Sequence, residues 1–295
     1  MNNKNICKVT IGLMVYNEAA FLHETIRTIQ DQSYDDYEII VGDNASTDGS
    51  SEIIEELAAS DSRITHIKRK ENIGALQNWN DIVRHASGEY FVLAGGHDLW
   101  SPDYLKKLVH ALDNNPQGVL AFCRTQWIDE DGNEINIPSC TLDTSGMSRL
   151  GRFVSLMYAN QNYLYGMTRV AAMKQTRLQM EIIGSGEIYL QELAQLGDFV
   201  LVENERWYRR KNRNEGGALE RLARYHRILF SSTRHRVKFK LFPYLQMMLH
   251  YLLLPFFLNM PLKSKVYLFF VYPLIIIRFI PSVLLLDTKW LLNRA

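Results

Sequence analysis

An α/β fold, with a mostly parallel sheet flanked by helices and an apolar helical tail, is what this 295-residue sequence predicts, and three observations predict it. Short β-branched apolar runs alternate with helical patterns through the front two thirds of the chain. Each of the first strand patterns ends in a turn rich in Gly, Asn, Asp or Ser. The last 55 residues are dominated by Leu, Ile, Val, Phe and Tyr. The division that follows is an α/β domain over 1–215, a basic linker over 216–240 and an apolar helical region over 241–295.

Taken in order, VTIGLMV at 9–15 is a β-rich run, and Phe21, Leu22, Thr25, Ile26 and Ile29 recur at helical spacing behind Tyr16-Asn17-Glu18. YEIIV at 37–41 is a second strand, closed by the polar loop 42–50 and followed by a helix with Ile53, Ile54 and Leu57 on one face. Two consecutive strand–helix units of this length require parallel pairing with right-handed crossovers. Residues 62–68 alternate as a third strand, and Asn72-Ile73-Gly74 opens a helix carrying Leu76, Trp79, Ile82 and Val83. The strand at 89–93 then runs into Gly95-Gly96-His97-Asp98, with Ser101-Pro102 reading as the next helix start. Ligands gather at the carboxyl ends of such strands, which puts His97 and Asp98 where chemistry is expected. A helix at 104–112, a strand at 118–123, a turn-rich excursion through 129–133, a helix behind Gly184 to Gly186 and a strand at 199–202 complete the domain.

Charge narrows the partners. Residues 1–202 hold 16 Lys/Arg against 27 Asp/Glu (−11), 203–240 hold 12 against 4 (+8), and 241–295 hold 5 against 1 (+4). An acidic front domain argues against a nucleic-acid partner. A basic stretch next to an apolar tail suits an anionic membrane surface. Cys7, Cys123 and Cys140 lack the spacing of a zinc site or a disulfide framework, and the start MNNKNICKVTIG lacks the apolar run of a signal peptide, so a cytoplasmic location is expected.

With 9–18, 41–48, 72–80 and 88–102 standing in this order, the chain resembles family 2 glycosyltransferases, inverting enzymes with a Rossmann-like GT-A fold. The resemblance implies a nucleotide-sugar donor, UDP- or dTDP-linked by preference. Tyr16, Glu18 and Asp43 then belong to the nucleobase site, Asp43 accepting an imino hydrogen and Tyr16 walling the pocket. Asn72 and Gly74 join the donor site. Asn44, Ser46 and Asp48 are donor ligands or ordinary turn and cap formers. The family's L-D-x-D-D turn is altered here: Gly95 replaces the first acid and His97 the acid closing D-x-D, while Asp98 aligns with the last. A divalent Mn²⁺ or Mg²⁺ held by Asp98, with His97 either as ligand or as hydrogen-bond donor to the donor molecule, is the implied cofactor. The family's catalytic base, an acid before a helix, falls on Glu187, with Glu181 as substitute. Arg209 or Arg210, in the basic run after the last strand, neutralises phosphate charge, and Lys211 stands where the family often has histidine.

In the tail, 241–258 has 18 residues without Asp, Glu, Lys or Arg, and 266–286 has 21 with Arg278 alone. About 20 residues span a bilayer, but Pro243, Pro255, Pro273 and Pro281 interrupt both stretches. Monotopic helices on the cytoplasmic face, anchored by Arg234, Arg236, Lys238 and Lys240, are expected, with a two-span hairpin or a soluble helical cap as alternatives. The function expected is sugar transfer to a glycan or polyprenyl-linked glycan in bacterial surface polysaccharide synthesis. Its rivals are a non-catalytic nucleotide-sugar or glycolipid binding protein and a nucleotidyltransferase. The latter needs a Gly-rich basic loop where Tyr16-Asn17-Glu18-Ala19-Ala20 stands.

Overall fold

The computed structural model describes residues 7–139, 141–157, 161–211, 243–258 and 261–277. Four strands, β1 (Val9–Val15), β2 (Tyr37–Asp43), β3 (Ile64–Lys68) and β4 (Tyr90–Gly95), pair in parallel in the order β3-β2-β1-β4. Helices α1 (Ala19–Gln30), α2 (Ser50–Ser60) and α3 (Ala75–His85) are their crossovers. Because β2 and β3 lie on one side of β1 and β4 on the other, the sheet reverses direction between β1 and β4. A crevice opens at that switch point, at the strands' carboxyl ends.

The helix α3 owes its close seat to two glycines. A Cβ at Gly12 would stand 2.8 Å from Ile82 Cγ2, and one at Gly42 would stand 2.6 Å from both Ile82 Cδ1 and Asn78 Oδ1. Ile82 is thereby fully buried against the sheet. Asn78, buried too, donates from Nδ2 to the Gly42 carbonyl at 2.7 Å, satisfying a polar group that would be costly to bury alone.

Beyond β4 the expectation of a mostly parallel sheet fails: the sheet is mixed. Strand β6 (Gly118–Ile128) pairs in parallel with β9 (Asp198–Arg210), but β8 (Met167–Arg169) inserts antiparallel between β4 and β6. β5 (Leu99–Trp100) runs antiparallel to β9 and β7 (Glu134–Ile135) to β6. These strands are two or three residues long, too short to show a period of two. Close backbone approach makes β8 possible, since a Cβ on Gly166 would meet the Ala121 carbonyl at 2.6 Å. The strand at 199–202 is really a 13-residue one that carries the basic run through Arg210. Helix α4 (Tyr104–Asp113) starts after Asp103, two residues later than Ser101-Pro102 suggests.

Helices α5 (Arg149–Leu156), α6 (Val170–Met173) and α7 (Ser185–Ala194) cover the face that α3 shares. Two more, α8 (Pro243–Phe257) and α9 (Leu262–Ile277), form a hairpin on α5 and α7, where Leu254, Leu258 and Leu268 bury against Phe153, Ile182 and Ile188. At 15 and 16 residues, no helix among the described residues is long and apolar enough to cross a membrane. The linker 216–240 with its four anchoring basic residues, and Arg278 and Pro281, lie outside the described residues.

Candidate functional site

The loops that leave β1, β2 and β4 meet at the switch point, and their side chains fasten them to one another. Asn17, held at φ 57°, accepts from Thr47 N at 2.9 Å through Oδ1 and donates its own N–H to Ser46 Oγ at 3.0 Å. Ala19 N donates to Asp48 Oδ2 at 3.0 Å and Glu18 N to Ser50 Oγ at 2.9 Å. So Ser46 and Asp48, left open between ligand and turn former, are spent joining two loops. Asn44 and Asn72 form a second clasp: Asn44 Nδ2 donates to Asn72 Oδ1, and Ile73 N to Asn44 Oδ1, both at 2.9 Å. Gly74 follows at φ 88° and ψ 153°, a conformation effectively reserved for glycine, so the loop can enter α3 only with glycine there.

Asp43 ends β2 with its side chain fully buried. Oδ2 accepts from Ser51 Oγ at 2.7 Å and Oδ1 from Ser46 N at 3.0 Å, while His66 Nε2 stands 3.7 Å from Oδ2. Burial opposes its ionisation, yet the His66 imidazole and the Ser46 and Ser51 donors outweigh it and hold the carboxyl well below the usual range. The unfolded chain therefore binds this proton more tightly than the native state does. The stability Asp43 contributes is complete above pH ~4, the unfolded value, and is lost as pH falls toward the native pKa. Denaturant unfolding from pH 7 to pH 3 should show wild type more stable than Asp43→Asn at neutral pH, with the gap closing at the acid end. A gap independent of pH would mean that the carboxylate is not what stabilises the loop. Tyr16, by contrast, is 48% exposed at the rim, free to wall a ligand.

Across the crevice, His97 Nδ1 lies 3.0 Å from Glu18 Oε1. Gly96 makes room for that pairing, because a Cβ there would stand 2.8 Å from Glu18 Cγ. Sequence reasoning placed Glu18 with the nucleobase; the structure places it beside the imidazole, whose Nε2 turns toward Asp98 Oδ1 at 3.8 Å. Burial disfavours a charged imidazole, but the Asp98 and Glu18 carboxylates overcome that and raise its pKa. Asp98 is 1% exposed, and burial pushes its carboxyl up despite the nearby His97 and Arg209 charges.

Among the described residues no group of three or more His, Cys, Asp or Glu side chains is arranged to hold a metal ion. The Asp98 carboxylate nevertheless suits a cation that brings other ligands with it. Its Oδ1 takes the Arg210 N–H at 3.2 Å, and its Oδ2 is buried with no hydrogen-bond partner. That orphan oxygen sits 2.9 Å from where a Cβ on Gly95 would be, in the space the family's first acid would need. One carboxylate and one imidazole would leave the remaining coordination positions of a Mg²⁺ or Mn²⁺ ion to oxygens from outside the protein.

The two arginines part company. Arg210 is buried, its guanidinium donating to the carbonyls of His97 (3.1 Å), Asp129 (3.2 Å) and Glu130 (2.6 Å) and to Glu24 Oε2 (2.7 Å) while stacking on Phe21. A phosphate role is not open to it: it braces the 95–98 turn from behind. Arg209 points to the other face of β9, among the rings of Trp127, Tyr165 and Trp207 at 4.7, 5.3 and 5.7 Å, with Nη1 donating to Asn162 Oδ1 at 2.9 Å. Trp127 escaped the sequence reading because β6 runs five residues past its apolar core. The β-branched and aromatic residues Thr125, Trp127 and Ile128 were the available signal.

Glu187 lies in the first turn of α7, half-buried. It lines a cavity of about 120 Å³ with Met14, Trp79, Leu93, Tyr165 and Ile182, between the sheet and the loop before α7. Gly184 at φ 78° turns the chain into that helix, and Ser185 Oγ accepts the Met180 N–H at 2.6 Å. Glu181 instead accepts from Gln77 Nε2, fastening the loop to α3.

Comparison with known proteins gives the geometry a context. Residues 10–179 match the family model described as glycosyl transferase family 2. The uncharacterized glycosyltransferase MJ1057 of Methanocaldococcus jannaschii is 35% identical over 127 residues, which is 42% of this chain and 44% of that one. TuaG of Bacillus subtilis, named for teichuronic acid biosynthesis, is 33% identical over 92 residues, 31% and 36% of the two chains. The chain thus spans less than half the length of these curated relatives. Among solved structures, S. aureus TarS 1-349 in complex with UDP-GlcNAc has a TM-score of 0.65 at 15% identity, covering 88% of this chain and 69% of its own. The mannosyltransferase PcManGT from Pyrobaculum calidifontis, in complex with GDP-Man and Mn²⁺, has a TM-score of 0.56 at 17% identity, covering 98% and 86%. At those identities the likeness is one of fold, that of GT-A. Since the family model matches residues 10–179, more than half of the 295-residue chain, the chain belongs to glycosyl transferase family 2.

Proposed function

We propose that this protein transfers a sugar, with inversion, from a nucleotide-sugar donor to a glycan or lipid-linked glycan in cell-surface polysaccharide synthesis. The observation that carries the reading is the meeting of four loops, 16–18, 43–51, 72–74 and 95–98, at the sheet's switch point, beside a cavity that Glu187 lines. Tyr16 and the Asp43 loop take the base, by UDP or dTDP preference. Asn72 and Gly74 shape the adjoining wall, and His97 with Arg209 faces the diphosphate. A divalent cation, when bound, would neutralise diphosphate charge as a Lewis acid, with Asp98 and His97 to hold it. Glu187 removes the acceptor hydroxyl proton as that oxygen bonds to the anomeric carbon and the bond to the nucleoside diphosphate breaks on the opposite face. The polysaccharide assignment is supported by relatives such as TuaG.

Gly95 favours a second reading, a donor-binding protein without turnover, since it removes an acid the family uses. Calorimetric titration of UDP, dTDP and GDP, with Mn²⁺, Mg²⁺ or chelator, followed by assay for donor hydrolysis and transfer, tests both. Binding of one nucleotide together with turnover is expected. Binding without turnover would leave the second reading standing, and no binding of any nucleotide would sink both.

A further inference from the structure

The α8–α9 hairpin has two faces of different character. Its inner face is part of the protein: Met247 Cγ lies 2.9 Å and a Tyr251 ring carbon 3.3 Å from where a Cβ on Gly184 would be, and Leu254, Leu258 and Leu268 are buried. Gly184 and Ile182, against which this face packs, line the cavity that holds Glu187. The hairpin therefore backs the wall of the candidate acceptor pocket.

Its outer face carries Phe256, Phe257, Leu262, Phe269 and Phe270, exposed by 50, 67, 76, 55 and 67%. Phe269 meets both Phe256 and Phe270 edge to face. Charge says what covers this face. No Asp or Glu occurs from Pro243 to Ile277; Lys263 and Lys265 begin α9, and Arg177, itself paired with Glu192, lies over the Phe257 ring. Apolar rings beside Lys263 and Lys265, on a hairpin without acids of its own, match an anionic lipid surface, with aromatic groups at the acyl boundary and ammonium groups among headgroups. The helices rise about 23 Å against a hydrocarbon core of ~30 Å, so they fit lying in one leaflet.

We propose that the outer face of the α8–α9 hairpin seats on an anionic lipid surface and that, by backing the Ile182–Gly184 wall, it brings the Glu187 cavity to that surface to receive an amphiphilic acceptor. The acceptor part rests on the transferase reading above; the lipid seat does not. A hydroxyl on a headgroup sugar reaches the cavity while its apolar tail stays in the leaflet.

The test floats the full chain with vesicles of phosphatidylcholine alone and with about 30% phosphatidylglycerol, for wild type and for Phe257→Ser combined with Phe270→Ser. Both rings are exposed, so the variant should keep the wild-type melting temperature. Wild type should partition to the anionic vesicles about tenfold or more better than the variant. Flotation that ignores lipid charge, or survives the double substitution, overturns the seat. A dimer by light scattering that the substitution dissociates gives the face to a second copy and overturns it too. On the same vesicles, dodecyl glycosides should be glycosylated faster than methyl glycosides by wild type, and the variant should lose that preference. Equal rates in wild type overturn the acceptor part. UDP, dTDP and GDP titration of the same samples separates the failures: if none binds, the transferase reading falls while flotation still judges the seat.

Discussion

Glu187→Gln should reduce sugar transfer by about 10²- to 10⁴-fold, the usual contribution of a general base, while nucleotide binding stays within about twofold of wild type. Glutamine keeps the length and most of the shape of the side chain, so the first turn of α7 and the cavity wall survive, and what is lost is the ability to take a proton. The expected effect sits in kcat, because the base acts in the displacement and not in holding the donor. Glu181→Gln is the control. Glu181 is tied to Gln77 on α3, and its amide keeps an oxygen to accept that hydrogen bond, so transfer should change by less than about threefold. Equal loss in both variants would mean that the loop before α7, not one carboxylate, is what the substitutions disturb. Full activity in Glu187→Gln would remove the base from this mechanism.

The adjacent arginines should fail in opposite ways. Arg210→Ala is expected to cost about 3 kcal/mol or more, since it removes the guanidinium donor from the His97 and Glu130 carbonyls, empties a buried site against Phe21 and unpairs Glu24. In a protein of this size that lowers the melting temperature by roughly 6–12 °C. Because Arg210 braces the 95–98 turn, nucleotide affinity should fall with it, and Arg210→Lys should rescue little, as an ammonium cannot span those carbonyls. Arg209→Ala should leave the melting temperature within a few degrees yet weaken nucleoside diphosphate binding by about tenfold, and more at low ionic strength. The reverse pattern would place the diphosphate on the other side of β9.

Much of this site was legible from the residues alone, because its parts are local. Each loop follows a strand with a clear apolar run; Asn17, Asp43, His97 and Asp98 fall at or just past those strand ends, and Asn72 and Gly74 stand at the entry to α3. What joins them was hidden. That Glu18 reaches His97 depends on β1 and β4 being neighbours and on Gly96 leaving room, and neither fact is written in either segment. The division of labour between Arg209 and Arg210 follows from side-chain alternation along a strand that was expected to end at residue 202.

By itself, then, the sequence determined that this chain builds strand–helix units with polar loops at their carboxyl ends, that its turn between β4 and β5 lacks two of the family's acids, and that its tail is apolar and flanked by cations. These are properties of composition and of period over seven or more neighbouring residues, where local preference and burial agree. Only the tertiary structure decided that the sheet is mixed, that Arg210 is a brace and Arg209 faces the rings, and that the tail folds back behind the Glu187 cavity. Those outcomes turn on contacts between residues 79 and 186 positions apart and on strands of two or three residues whose pairing is set by backbone fit. No periodicity in the chain encodes such contacts, and packing chooses among them.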